Sequence, residues 1–158
     1  MRDVLVLNGP NLGRLGSREP EVYGTATLDD LAEACVAAGR ELGLHVEVRQ
    51  TDDEAELVGW VHEAADGRVP VVLNPAAFTH YSYALRDALA MRTAPLVEVH
   101  LTNPAAREAF RHVSVVAGVA DGTVAGFGLL SYELALRAVA SMPAELAPRR
   151  GVEGGSPP

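Results

Sequence analysis

Leu44-His45-Val46-Glu47-Val48-Arg49 alternates apolar and polar residues without a break. Period-two patterning is that of a β-strand with one dry face and one wet face. Central strands of an α/β sheet are covered on both faces, so this one belongs at a sheet edge. Outward from it the pattern changes. Val4-Leu5-Val6-Leu7 on one side and Val69-Pro70-Val71-Val72-Leu73 on the other are continuously apolar, as strands buried on both faces are. They predict strands over residues 3–7 and 69–74, and similar runs predict a fourth strand over 95–101 and a fifth over 113–117. Helical patterns separate them. Thr27, with Asp30 three residues on, opens a capping box. Leu28, Leu31, Cys35 and Leu42 then recur at helical spacing until Gly43. Thr51 with Glu54 reads as the cap of a second helix, ending near residue 65. A third is expected over 80–91, a short helix or turn after Asn103-Pro104, and a last helix from Gly126-Phe127-Gly128 to about 141.

Five alternations of strand and helix argue for a doubly wound parallel α/β sheet. With the second strand at an edge, the flavodoxin-like order 2-1-3-4-5 fits. One domain is expected over residues 1–146. The Gly-, Pro- and Arg-rich residues 147–158 are expected to be disordered. Sheets of this order bind ligands beyond the carboxyl ends of their strands, at the switch point between strands one and three.

Composition narrows the function. The net charge of −8 disfavours a general nucleic-acid surface, and no apolar run is long enough to span a bilayer. The single cysteine, Cys35, excludes an internal disulfide and reads as a buried helical residue. With no signal-peptide pattern at the N-terminus, the expected location is the cytoplasm. All thirteen basic residues are arginines, so a lysine imine, a pyridoxal-linked lysine and a P-loop lysine are all excluded. No His, Cys, Asp and Glu spacing resembles a metal site.

The reactive residues follow the strands that border the switch point. After strand one comes a long loop, residues 8–24, with four glycines, two prolines, Asn11, Arg14, Arg18 and Tyr23. Loops of that length in a compact domain are usually functional when they are not disordered. A tyrosine phenol, with an ordinary pKa of about 10, is a poor base at neutral pH, and a neighbouring guanidinium favours its phenolate. Tyr23 is therefore either a base activated by arginine or an amphipathic residue that packs the loop. His100 ends an apolar strand, and Glu98 shares its face. That pair is either a satisfied core histidine with its partner or a general acid held by a carboxylate. Asn11, Asn74 and Thr102 at strand ends serve turns and caps or recognise hydroxyl and carboxylate groups. Arg111 is an anion-binding or a solvated arginine. His45 and His62 read as surface residues.

With these residues assembled, the sequence closely resembles the type II 3-dehydroquinate dehydratases, or type II dehydroquinases, over roughly residues 3–140. The motifs occur in the family's order: Asn8-Gly9-Pro10-Asn11-Leu12, Leu15-Gly16, Arg18-Glu19-Pro20 and Tyr23-Gly24, then Asn74-Pro75, Phe78-Thr79-His80 with Ser82, and Arg86-Asp87-Ala88. Glu98-Val99-His100-Leu101, Phe110-Arg111-His112 with Ser114, and Gly126-Phe127-Gly128 complete the set. The resemblance implies a flavodoxin-like fold, a homododecamer built of trimers, and cofactor-free dehydration of 3-dehydroquinate to 3-dehydroshikimate through an enolate. That step serves the shikimate pathway of aromatic biosynthesis or quinate breakdown. It implies Tyr23 as base, Arg18 as the guanidinium that activates it, Asn11 as holder of a water at the enolate, and His100, with Glu98, as acid. It assigns Asn74, His80, Asp87, Leu101, Thr102 and Arg111 to the substrate. Gly13 and Thr102 depart from the asparagine and serine usual in the family. A binding-only paralogue would not need both a proton acceptor and a donor. A flavin carrier would need a Ser/Thr-rich phosphate loop and flanking aromatics, which the chain lacks.

Overall fold

The computed structural model describes residues 1–17 and 19–145. Five parallel strands, β1 (Arg2–Asn8), β2 (Leu44–Gln50), β3 (Val71–Asn74), β4 (Leu96–His100) and β5 (Gly122–Ala125), form one sheet in the order β2-β1-β3-β4-β5. The fold is the flavodoxin-like α/β arrangement expected from the edge-type alternation of β2. Along β2 the burial alternates from Leu44 to Glu47, as a strand with one wet face should.

Five helices flank the sheet: the single-turn α1 (Pro20–Tyr23), α2 (Leu28–Glu41), α3 (Glu54–Gly67), α4 (Tyr83–Ala90) and α5 (Leu130–Ser141). Residues of alternate parity along each strand feed two separate cores. Val4, Val6, Val72, Val97 and Val99 pack with Leu31 and Cys35 of α2 and Tyr132, Leu136 and Val139 of α5. Leu5, Leu7, Leu73 and Leu96 pack with Leu57 and Val61 of α3 and Leu85 and Leu89 of α4. Cys35 lies within the first core, where burial pushes its thiol up to about 12, far from a reactive thiolate.

Helix ends show which local signals governed. The Thr27–Asp30 capping box is present in both directions, at 3.2 and 2.9 Å. The α3 cap is different from the one expected. Asp53, not Thr51, receives the first free N–H, from Ala55, while Thr51 accepts from the Asp53 backbone. Helix α4 begins at a Ser82 cap, three residues later than expected, and buries Leu85, Ala88 and Leu89.

The fifth strand is not at residues 113–117. That stretch runs past the end of the sheet, with Val113 63 % exposed and the Val115 N–H donated to the Thr79 carbonyl. The strand that pairs β4 is the short Gly122–Ala125, which lies between the expected fifth strand and the last helix. The expectation for residues 147–158 lies outside the described residues. Among the described residues no helix is long and apolar enough to cross a membrane.

Candidate active site

The carboxyl ends of β1, β3 and β4 open into a cavity of about 180 Å³. At about 30 Å³ of liquid per water molecule, that is room for roughly six waters, the size of a single-ring ligand. Asn11, Tyr23, Asn74, His80, His100, Leu101, Thr102, Arg107 and Arg111 all line it. Sequence reasoning expected eight of these nine. Close packing of two loops shapes the floor: a Cβ on Gly9 would meet the Pro75 carbonyl oxygen at 2.6 Å, so this position admits only glycine.

Glu98 is 1 % exposed, and three side chains donate to its carboxylate. The His100 Nε2–H donates to Oε2 at 2.8 Å, the Thr79 hydroxyl to Oε2 at 2.9 Å, and the Ser114 hydroxyl to Oε1 at 2.7 Å. Ser114 in turn receives the N–H groups of Val116 and Ala117. Its lone pairs are thus occupied, and its proton is directed away from the backbone. Burial pushes the Glu98 carboxyl up. The His100 hydrogen bond and charge outweigh burial, with help from Ser114 and Thr79, and hold the carboxyl below its ordinary value. Because Nε2 is committed to Glu98, Nδ1 is the nitrogen left to exchange a proton with a ligand.

Tyr23 ends α1, where Pro20 sits in the first turn and Gly24, at φ 79°, stops the helix. Its hydroxyl receives a hydrogen bond from Arg107 Nη1 at 3.0 Å, and the guanidinium lies 5.2 Å from the ring centroid. Arg107 also approaches the Thr102 hydroxyl at 3.5 Å and is braced by His112, whose Nε2–H donates to the Arg107 carbonyl at 3.0 Å. Sequence reasoning missed Arg107. It stands four residues before Arg111 in Ala106-Arg107-Glu108-Ala109-Phe110-Arg111, and the single-turn 3-10 segments Pro104–Ala106 and Ala109–His112 aim both arginines at the cavity. That doublet was the available signal. Arg18 lies outside the described residues.

The remaining residues are held by their neighbours. Asn11 takes a left-handed conformation, φ 68°, with its N–H on Asp52 Oδ1 at 2.8 Å. The His80 Nδ1–H donates to the Val113 carbonyl at 2.7 Å, which leaves Nε2 for a ligand, and its ring meets Phe110 edge-on. Arg111 bonds Glu108 through Nε and lies over the Phe110 ring. Glu98 meets the cavity through His100, whereas Asp87 is the exception among the expected residues. It does not line the cavity of its own chain, and its side chain, 74 % exposed on α4, pairs with Arg86. Among the described residues no group of His, Cys, Asp or Glu could hold a metal ion.

The class II dehydroquinase family model matches residues 2–140. The 3-dehydroquinate dehydratase of Salinispora tropica is 64 % identical over 138 residues, which are 87 % of this chain and 96 % of the relative. The crystal structure of the type II dehydroquinase from Propionibacterium acnes is similar at a TM-score of 0.88 and 60 % identity, covering 90 % of this chain and 98 % of that one. That from Butyrivibrio crossotus is similar at 0.84 and 38 %, covering 89 % and 98 %. By family model, sequence and fold alike, the chain belongs to the class II dehydroquinases.

Proposed function

We propose that this cavity is where the chain dehydrates 3-dehydroquinate to 3-dehydroshikimate. The observation that carries the reading is the pairing of two proton-transfer groups, each with its own counter-charge, in one small cavity: Tyr23 with Arg107, and His100 with Glu98. Tyr23, as phenolate held by the Arg107 guanidinium, removes a proton from the carbon beside the ketone. The electron pair moves onto the ketone oxygen, and an enolate forms. When the ketone is restored, the carbon–oxygen bond β to it breaks. The imidazolium of His100 gives its Nδ1 proton to the departing hydroxyl, which leaves as water. The proton held by Tyr23 then returns to His100, so the catalyst is regenerated. No cofactor is needed, and a chain without lysine cannot form an imine.

Arg18 serves with Arg107 as a guanidinium that activates Tyr23 and stabilises the transition state. Asn11, pinned by Asp52, orients a water on the enolate. Asn74, His80, the Leu101–Thr102 segment and Arg111 bind the substrate's hydroxyls and carboxylate. Asp87, if it binds substrate as well, must do so from a neighbouring copy, in a homododecamer of trimers. We place the enzyme in the cytoplasm, on the shikimate route of aromatic biosynthesis or in quinate breakdown.

The test is ultraviolet absorbance on mixing the protein with 3-dehydroquinate, since the product is a conjugated enone acid. Wild type should give a rising signal, and Tyr23→Phe should lose turnover by at least about a hundredfold, the lower range for a positioned proton carrier. Turnover by both would remove Tyr23 as the base. Turnover by neither would remove the activity.

A further inference from the structure

Beneath the proton-transfer groups runs a second buried polar chain. Asn8 and Asn74 are register partners at the ends of β1 and β3, and both are buried. Their side chains emerge on the sheet face covered by α5, where Tyr132 sits between them, 1 % exposed. The Tyr132 hydroxyl donates to Asn8 Oδ1 at 2.6 Å and accepts from Asn74 Nδ2 at 2.9 Å. Asn8 Nδ2 donates to the Arg49 carbonyl at 3.1 Å, and Asn74 Oδ1 accepts the Ala76 N–H at 3.0 Å.

These bonds leave one consistent assignment of protons. The Ala76 N–H requires an oxygen, so Oδ1 of Asn74 faces Ala76 and Nδ2 faces Tyr132. The hydroxyl, having received that N–H, has one proton, and it goes to Asn8 Oδ1. Turning the Asn74 amide over would set Nδ2 against the Ala76 N–H and leave two donors facing each other in a buried site. Ala76 is itself unusual. It is a non-glycine residue at φ 51°, a conformation that costs about 1 kcal/mol or more and persists only where its surroundings hold it. Asn74, Ala76 and Ala77 all line the cavity.

We propose that Tyr132 is a positioning residue for substrate binding, its hydroxyl locking the Asn74 amide, and through it the Ala76 turn, in one orientation at the cavity floor. The inference rests on the proposed contact between Asn74 and substrate and adds a residue on α5 to the binding machinery. It explains why a phenol rather than a phenyl ring fills this place. Burying a hydroxyl costs free energy unless it is bonded, and both bonds here end on asparagines at strand ends. A site whose polar groups are fixed before the ligand arrives loses less ordering entropy on binding.

The experiment is steady-state kinetics with 3-dehydroquinate on Tyr132→Phe, Asn74→Ala and the double variant, each at a temperature well below its melting transition. Tyr132→Phe should raise KM about three- to tenfold, the worth of one hydrogen bond, with kcat and the pH profile nearly unchanged. On the Asn74→Ala background the same substitution should have no further effect on KM, because its target is gone. A residue that only fills the core would lower the melting temperature and leave KM alone. An unchanged KM in Tyr132→Phe, or effects that multiply in the double variant, overturns the proposal. An unchanged KM in Asn74→Ala removes the substrate contact and this proposal together. If instead Asn74→Ala raises KM and Tyr132→Phe does not, only this proposal falls. Should Tyr132→Phe fail to fold, Asn8→Ala removes the acceptor of the Tyr132 proton. It should show the same KM increase, lost on the Asn74→Ala background, and its absence overturns the proposal equally.

Discussion

Glu98 is where the energetics of single residues are most exposed to test. A carboxylate this buried persists as an anion only because His100, Thr79 and Ser114 all donate to it. Its folded pKa lies below the unfolded value of about 4.3, so near pH 4 the native chain binds fewer protons than the unfolded one. The stabilisation is therefore complete above that value and is lost as pH falls through the folded pKa. Urea midpoints measured from pH 6 to pH 3 should fall steadily in wild type and less steeply in Glu98→Gln. At neutral pH the same variant should lower kcat by about a hundredfold, since an amide cannot hold an imidazolium. An unchanged pH–rate profile in Glu98→Gln would remove Glu98 from the acid's machinery. This pair was legible beforehand because strand parity alone puts residues two apart on one face. Arg107 was missed because its spacing from Arg111 is a weak signal, silent on how two successive 3-10 turns aim a side chain.

Elements were legible where the pattern was long and the neighbours few. The alternation in β2 and the Thr27–Asp30 box each depend on residues close in sequence, and both are present as expected. The fifth strand was misplaced because Val113 and Val115 look like a buried strand yet serve the site. The Val113 carbonyl accepts from His80, the Val115 N–H bonds Thr79, and Ser114 between them reaches Glu98. The true β5, Gly122–Ala125, is a short edge strand with half its residues exposed, too little pattern to stand out. Helix α3 offers the test at this scale. Its pattern ends near residue 65, but the helix runs to Gly67 and its left-handed cap residue is Arg68, at φ 55° and ψ 42°. A side chain there costs about 1 kcal/mol, and the exposed ion pair with Glu145 returns little of it. Arg68→Gly should therefore raise the melting temperature by about 2–4 °C, the shift that ~1 kcal/mol gives in a chain of this size. A lowered melting temperature would mean that the Arg68–Glu145 contact outweighs the backbone cost.

The whole molecule raises the one question that a single chain leaves open by geometry. Asp87 does not line its own cavity and pairs with Arg86, on a face of α4 that also exposes Tyr83 and, just past the helix, Met91. Exposed large apolar residues beside an exposed acid fit a surface that meets another copy of the chain. If Asp87 acts on the substrate, it acts across that contact, and the consequence can be measured by mixing subunits. Tyr23→Phe lacks the base but keeps Asp87, whereas Asp87→Ala keeps the base but lacks the Asp87 carboxylate. Each alone should be severely impaired. Co-expressed and assembled at random in a symmetric oligomer, about a quarter of the sites should combine an intact Tyr23 with Asp87 from a neighbour, and activity should return in that proportion. Tyr23→Phe mixed with His100→Ala is the control. Both groups line the cavity of one chain, so no mixed site is whole and no activity should return. Recovery in the first mixture and not in the second would place Asp87 in a neighbour's site. Failure of both, with light scattering showing mixed oligomers well above the 16.7 kDa chain, would remove Asp87 from the reaction.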